Sequence, residues 1–271
     1  LYPSYPGWAN VSPDGKYAIY EKNYDLWYMT REDLEKLRLW DKDSTITEHR
    51  LTNGGTVNRC YAYHSLDEKP DSTKRYYPRC LWSPDSRHFV VTHRADSILA
   101  KMWVINSLST PRPTLESYRY QMPGEETPTM TMELFDFENK TSKMIDVAQF
   151  KHQRIEMFGK PATHATRQEL PRKNIWLGDE KGFYFERISR DMKRIEVCYV
   201  DVKSDSAIAI VREEMNTSIE SKPIRLINGG KQLSFPYALS FAGMKGFQRG
   251  HAREANQRAL FLFHHAYIGS G

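Results

Sequence analysis

Residues 17–29 read YAIYEKNYDLWYM, two short stretches of alternating apolar and polar side chains around a polar kink. A period of two marks half-buried strands. The rhythm returns at "HFVV" (88–91) and, after a polar interval, at "KMWVI" (101–105). A turn precedes each first strand: "SPDG" at Ser12–Gly15 and "SPDS" at Ser83–Ser86. In such a turn proline presets φ at the second position. Aspartate bonds its own backbone two residues on, and glycine accepts positive φ. Ser86 stands where the first copy has Gly15, which predicts a less tight turn in the second copy. The repeated unit is turn, strand, loop, strand. Trp27 and Trp103 are expected at equivalent second-strand positions.

The pattern changes at "TREDLEKLRLWDKD" (30–43), where Leu34, Leu37 and Trp40 recur at helical spacing behind Thr30, an N-cap with Asp33 three residues on. "RLTNGG" (50–55) reads as a strand ending in a glycine turn, and the polar, irregular residues 56–78 as an exposed loop. Four prolines in 109–128 predict an extended connection. Residues 129–147 predict a hairpin about Glu138–Asn139–Lys140, and 173–213 three more strands. Another strand starts within 222–235. Four-stranded antiparallel sheets, each opened by a similar turn, describe an all-β fold of β-propeller blades, about four to five of them here. This region spans residues 1–232. Residues 233–271 form an unassigned basic tail, whose only acid is Glu254 against Lys245, Arg249, Arg253 and Arg258. Within it "HAREANQRALFLF" (251–263) has the pattern of an amphipathic helix, a type of segment that can touch a membrane or a partner, or is foreign to the domain.

Composition agrees with strands: aromatics are 13% of 271 residues and hydrophobics 39%. No apolar run approaches the roughly 18 residues of a membrane span. A net charge of +5 invites a nucleic-acid reading, but the basic residues are interspersed with acids and form no stripe, so nucleic acid is not an expected partner. The three cysteines, Cys60, Cys80 and Cys198, leave one over in any disulfide scheme. They read as buried thiols, with a Cys60–Cys80 bridge as the alternative. No Cys-x-x-Cys pair occurs, and the nine histidines show no metal spacing, so neither metal nor cofactor is expected.

Four stretches carry a resemblance: "WSPDS" with "FVV", "MWVINSLSTPRPTLESYRYQMPGE", "LFDFENKTSKMIDV" and "GFYFERISRDMKRIEVCYVDV". They resemble the N-terminal β-propeller of the dipeptidyl peptidase IV family, in the prolyl oligopeptidase class of serine peptidases. The likeness covers roughly residues 8–232. It implies an eight-bladed propeller followed by an α/β-hydrolase domain, whose Ser/Asp/His triad cleaves dipeptides from free N-termini. It also implies export, to the periplasm or the cell exterior, although "LYPSYPGWAN" lacks the basic start and apolar stretch of a signal peptide. No Gly-x-Ser occurs in these residues, so the nucleophile elbow is not among them and no catalytic residue is assigned.

In this family a pair of glutamates on a propeller excursion reads the substrate's free amine. Carboxylates suit that role because an ammonium needs charge-assisted acceptors. The corresponding excursion is 56–78, and Asp67–Glu68 in "YHSLDEKP" is its nearest acidic pair, although the flanking aromatics differ from the family's. Glu125–Glu126 and Glu213–Glu214 are other acidic pairs, read as solvated. The implied partners are a peptide, the hydrolase domain and a second copy of the chain, since an unclosed propeller exposes strand edges. Two other classes fit the blades: a stand-alone propeller binding peptide or polysaccharide, and a propeller glycosidase with paired carboxylates. They separate on whether Gly-x-Ser-x-Gly, then Asp, then His follow in the same polypeptide. The isolated chain is expected to stay unlabelled by a serine-directed fluorophosphonate in intact-mass measurements, and stoichiometric labelling would contradict this reading.

Overall fold

Where a strand begins is decided by one serine hydroxyl, in a device that occurs three times among the described residues. In the computed structural model, which describes residues 5–40, 44–62, 71, 73–157, 176 and 181–219 together with the backbone of 225–227, 232–235 and 261–264, Ser12 Oγ donates to Asp14 Oδ1 at 2.6 Å and accepts from Tyr17 N at 3.1 Å. Asp14 Oδ1 also accepts from Lys16 N at 3.1 Å. The backbone closes around this pair, with Gly15 N donating to Ser12 O and Ser12 N to Tyr17 O, both at 2.9 Å. Ser83, Asp85 and His88 repeat the arrangement at 2.5 and 2.9 Å. Ser189, Asp191 and Arg194 repeat it again at 2.5 and 3.0 Å.

The fourth residue of each turn is left-handed: Gly15 at φ 73, Ser86 at φ 63 and Met192 at φ 57. This is a type I turn closed by an αL residue, a common hairpin connection. The expectation of a looser turn at Ser86 is therefore corrected. The side-chain bonds hold the geometry although an L-residue in that region costs roughly 1 kcal/mol. The third copy, "SRDMKR" (189–194), lacks both the proline and the glycine.

The first sheet is a meander of β1 (Asn10–Val11), β2 (Tyr17–Lys22), β3 (Asp25–Thr30) and β4 (His49–Arg50), in that order. Asn23 and Tyr24, both at positive φ, form the two-residue connection between β2 and β3, as a type I′ hairpin requires. Helix α1 (Arg31–Leu39) leaves β3 through Thr30, whose Oγ1 accepts from Asp33 N at 3.2 Å and donates to Asp33 Oδ2 at 2.9 Å. Ala9, Val11, Ala18, Tyr20, Met29 and Leu34 form the core on one face, with Trp8 and Trp27 packed against it.

The second sheet uses β5 (Leu81–Trp82) and β6 (His88–Ala95). The chain then leaves as a separate hairpin, β7 (Lys101–Asn106) with β8 (Thr114–Arg119). It returns as β9 (Thr129–Asp136) and β10 (Thr141–Ile145), completing the order β10-β9-β6-β5. Two expectations are corrected here. Trp103 sits on the inserted hairpin, so it is not the equivalent of Trp27 on β3; β9 is the strand that follows β6 in the sheet. Part of 109–128 is likewise β8 rather than a plain connection. The expected hairpin at 129–147 does form, with Lys140 at φ 57 in its turn. Trp82, Phe89, Phe135 and Phe137 pack one face of this sheet, with Phe89 stacked on Phe135 at 4.6 Å and Trp82 edge-on to Phe89 at 4.9 Å.

The third sheet is β11 (Arg154–Glu156), β12 (Gly182–Ile188), β13 (Arg194–Asp201) and β14 (Ile208–Glu214) in sequential order. Every residue of β12 is buried, so it reads as a continuous run, covered on both faces, rather than an alternation. Glu196 lies in register with Arg187 on one side and Arg212 on the other, and binds both guanidinium groups, at 2.6 and 2.9 Å. Here the serine turn joins the second and third strands, whereas in the first two sheets it joins the first and second. A three-stranded sheet of β15 (Arg225–Ile227), β16 (Gln232–Phe235) and β17 (Phe261–His264) follows. "FLFH" (261–264) is thus extended where the amphipathic pattern suggested helix; a short apolar run satisfies either period.

The chain divides into two units, residues 1–80 with 91–131 and residues 81–90 with 132–271. The architecture is all-β and propeller-like, with three complete four-stranded antiparallel sheets among the described residues. Cys60, Cys80 and Cys198 are buried thiols outside any disulfide, so the Cys60–Cys80 bridge is not formed. Because Ser86 holds an αL position without being glycine, Ser86→Gly is expected to stabilise the folded protein by about 0.5–1 kcal/mol in urea unfolding. A destabilised variant would mean that the turn geometry does not carry this strain.

Candidate functional site

The acidic pair expected on the 56–78 excursion, Asp67 and Glu68, lies outside the described residues. Of its described residues Thr56, Arg59, Asp71, Thr73 and Lys74 are exposed, as the polar sequence suggested, and Arg75, Tyr76 and Tyr77 at the second root are half-buried; the first root is buried instead, with Cys60, Tyr61 and Ala62 each 7% exposed or less. They are held by a glutamate that the sequence reading passed over. Glu21, fully buried on β2, accepts from Tyr61 N and Ala62 N on the same carboxylate oxygen, both at 2.5 Å. Its backbone N and O exchange bonds with Tyr76 O and N at the other root, both at 2.9 Å. Arg79 N donates to Tyr61 O at 2.7 Å and ties one root to the other.

Neighbouring strands complete the base. His93 Nδ1 meets Cys60 O at 3.0 Å, and its ring packs edge-on against Tyr61 at 5.1 Å. Asn10 Nδ2 donates to Pro78 O and Cys80 O at 3.1 and 2.7 Å. Asp25, at the start of β3, gathers Arg50 Nη2 at 2.6 Å, Thr52 Oγ1 at 3.0 Å and Gly55 N at 2.9 Å. Gly55 is required there, because a Cβ would lie 2.1 Å from the Tyr24 carbonyl oxygen.

At the second root Arg75 pairs with Glu48, which also accepts from Lys22 Nζ at 3.0 Å. The Arg75 guanidinium lies over Trp8 and Tyr20, at 5.3 and 5.5 Å from the ring centroids. Burial pulls the Glu48 carboxyl upward, but hydrogen bonds from Arg75 and Lys22 outweigh it and hold the pKa below the usual carboxylate value. Burial, reinforced by the charge of Glu21, pushes the Cys60 thiol up to about 11, so it is no thiolate nucleophile near neutral pH.

The other acidic pairs do not converge. Glu125 and Glu126 are exposed, and Glu125 accepts from Met122 N at 2.8 Å in a turn. Glu213 and Glu214 are neighbours on β14, one buried and one exposed, so they point to opposite faces. Among the described residues no group of three or more His, Cys, Asp or Glu could hold a metal ion.

Glu21 and Asp25 were legible in one respect. Each acid belongs to an apolar strand segment, "YAIYEK" or "DLWYM", where a carboxylate that is buried must find partners. Glu48 gives a pH test of the root. Its depressed pKa means that its contribution to stability is present above the ordinary carboxylate pKa and is lost as pH falls below it. Glu48→Gln is therefore expected to lower Tm at pH 7, with the difference from wild type shrinking as pH falls below the ordinary carboxylate range and gone once the folded-state carboxyl is protonated. A difference independent of pH would place the effect elsewhere.

A comparison with curated proteins gives no match. Among solved structures the fold is similar to dipeptidyl peptidase 4 of Porphyromonas gingivalis, with a TM-score of 0.58 and 15% identity over 83% of this chain. It is also similar to a putative dipeptidyl aminopeptidase IV of Bacteroides ovatus, with a TM-score of 0.57 and 14% identity over 96% of this chain. At that identity the likeness is one of fold. The chain spans 28% and 30% of the length of these two proteins. The family described as dipeptidyl peptidase IV (DPP IV) N-terminal region matches residues 3–245, a stretch that takes in all three serine turns and both roots of the excursion. Its sequence and its blades thus agree on one assignment, and the chain belongs to the dipeptidyl peptidase IV N-terminal region family.

Proposed function

We propose that the chain is the noncatalytic propeller portion of an exported serine exopeptidase, acting in the periplasm or outside the cell. In that protein it shapes the access of peptides to an α/β-hydrolase domain. The observation that carries this reading is the family match over residues 3–245, which makes the chain part of a dipeptidyl peptidase IV-like protein. The lack of any Gly-x-Ser fits a division of labour in which the nucleophile belongs to the hydrolase domain.

The excursion at 56–78 is where the propeller meets the peptide in this reading, with Asp67 and Glu68 as acceptors for its terminal ammonium. A base tied to β2 through Glu21, Tyr61, Ala62 and Tyr76 supports that role, because a recognition loop needs a rigid mount. The third partner is a second copy of the chain. Favouring it, the hairpin of β7 and β8 leaves Trp103, Ile105 and Leu115 at least 65% exposed.

The deciding experiment is kinetic. In the parent enzyme, Asp67→Ala combined with Glu68→Ala is expected to raise KM for peptides with a free N-terminus by about tenfold or more. Charge-assisted bonds to a desolvated ammonium are worth roughly 1.5–3 kcal/mol each. Hydrolysis of N-acetylated peptides should be unchanged. Equal kcat/KM for mutant and wild type on the free peptide would remove these two residues from the site.

A further inference from the structure

A carboxylate that is fully buried in a strand is costly unless something in the fold requires it, since an apolar residue could fill the same volume. Glu21 is such a group: it lies in β2 between Tyr20 and Lys22, and its side chain is spent on the main chain of another segment. Two successive backbone N–H groups, Tyr61 and Ala62, converge on its Oε2 at 2.5 Å each, as in an anion-binding nest, but with the anion supplied by the protein. The same residue holds Tyr76 through both of its backbone groups at 2.9 Å. Its side chain therefore grips one root of the excursion and its main chain the other, while the bond from Arg79 N to Tyr61 O closes the base.

We propose that Glu21 is a positioning residue for ligand recognition by this propeller: a single buried carboxylate sets where the 56–78 excursion leaves and rejoins the first blade. Glu21 touches no substrate and acts through the segment it anchors. The inference rests on the preceding reading in one respect only, that the excursion meets the peptide's free amine.

Chemistry separates the clamp from ordinary core filling. Leucine or methionine at position 21 would preserve apolar packing but leave two buried N–H groups facing hydrocarbon. Glutamine keeps an acceptor oxygen without the charge. The order of root stability expected is therefore Glu, then Gln, then Ala.

The test uses the full-length parent protein with Glu21→Gln and Glu21→Ala, the former being the variant that retains an acceptor if the latter folds poorly. Three readouts are taken together. Hydrogen exchange of the peptide spanning residues 59–62 should quicken in the order Gln then Ala, while the strand peptides of the third sheet stay protected. KM for a dipeptidyl p-nitroanilide with a free amine should rise by about tenfold in Glu21→Ala, with kcat nearly constant. The rate of fluorophosphonate labelling, which needs the nucleophile but no amine recognition, should match wild type. Unchanged exchange at 59–62 overturns the clamp. Faster exchange with an unchanged KM overturns the positioning role. A wild-type parent that turns over no dipeptidyl substrate overturns the preceding reading instead, and exchange at 59–62 then decides the clamp by itself.

Discussion

A single hydroxyl with two jobs organises this fold. In each serine turn Oγ donates to an aspartate two residues on and accepts the N–H five residues on, so the strand that follows starts from a fixed point. Because side chains in a strand alternate with period two, a shift of one residue at that point would exchange the core and solvent faces of the whole strand. Tyr17, His88 and Arg194 are the residues so placed, and β2, β6 and β13 each begin there. Burial pushes the Asp14 carboxyl upward, but hydrogen bonds from Ser12 and Lys16 prevail and hold it below its ordinary value. At Asp191 the bond from Ser189 is the leading cause of the same downward displacement.

Once strands are placed, buried charge fixes what attaches to them. Glu21 receives backbone N–H groups of a distant segment, Asp25 receives the turn after β4, and Glu196 joins three strands through two arginines. None of these carboxylates is a surface ion pair of negligible worth; each is 4% exposed or less, and truncating Glu21 or Glu196 would take an acceptor from buried donors, Tyr61 N and Ala62 N in the one case and Arg187 in the other. Apolar packing alone specifies a sheet face but not which loop docks on it, and in this protein that choice falls to acids in strands.

Much of this is legible in the sequence. Alternation at Tyr17–Met29 and the turn chemistry of Ser12–Gly15 were enough to give the first blade, and Thr30 with Asp33 gave the start of α1. What escaped was long-range or disguised. The third turn kept serine and aspartate but lost proline and glycine, so a motif search keyed on those residues passed over it. Trp103 has a strand's periodicity but belongs to an insertion, and periodicity carries no information about which sheet a strand joins. The burial of Cys60–Ala62 within a polar stretch went unread because the carboxylate that binds this root, Glu21, lies about forty residues away, at a separation local patterns do not register.

In the proposed function the blades are a scaffold that mounts the recognition site. The central claim is that these residues are the propeller part of a longer serine exopeptidase. The most direct measurement is the intact mass and terminal sequence of the native polypeptide that carries them. The account predicts one continuous chain in which Gly-x-Ser-x-Gly, then aspartate, then histidine follow the propeller, with the serine labelled by a fluorophosphonate. A native polypeptide without that sequence, folded and unlabelled, would contradict it and make the chain a binding module in its own right.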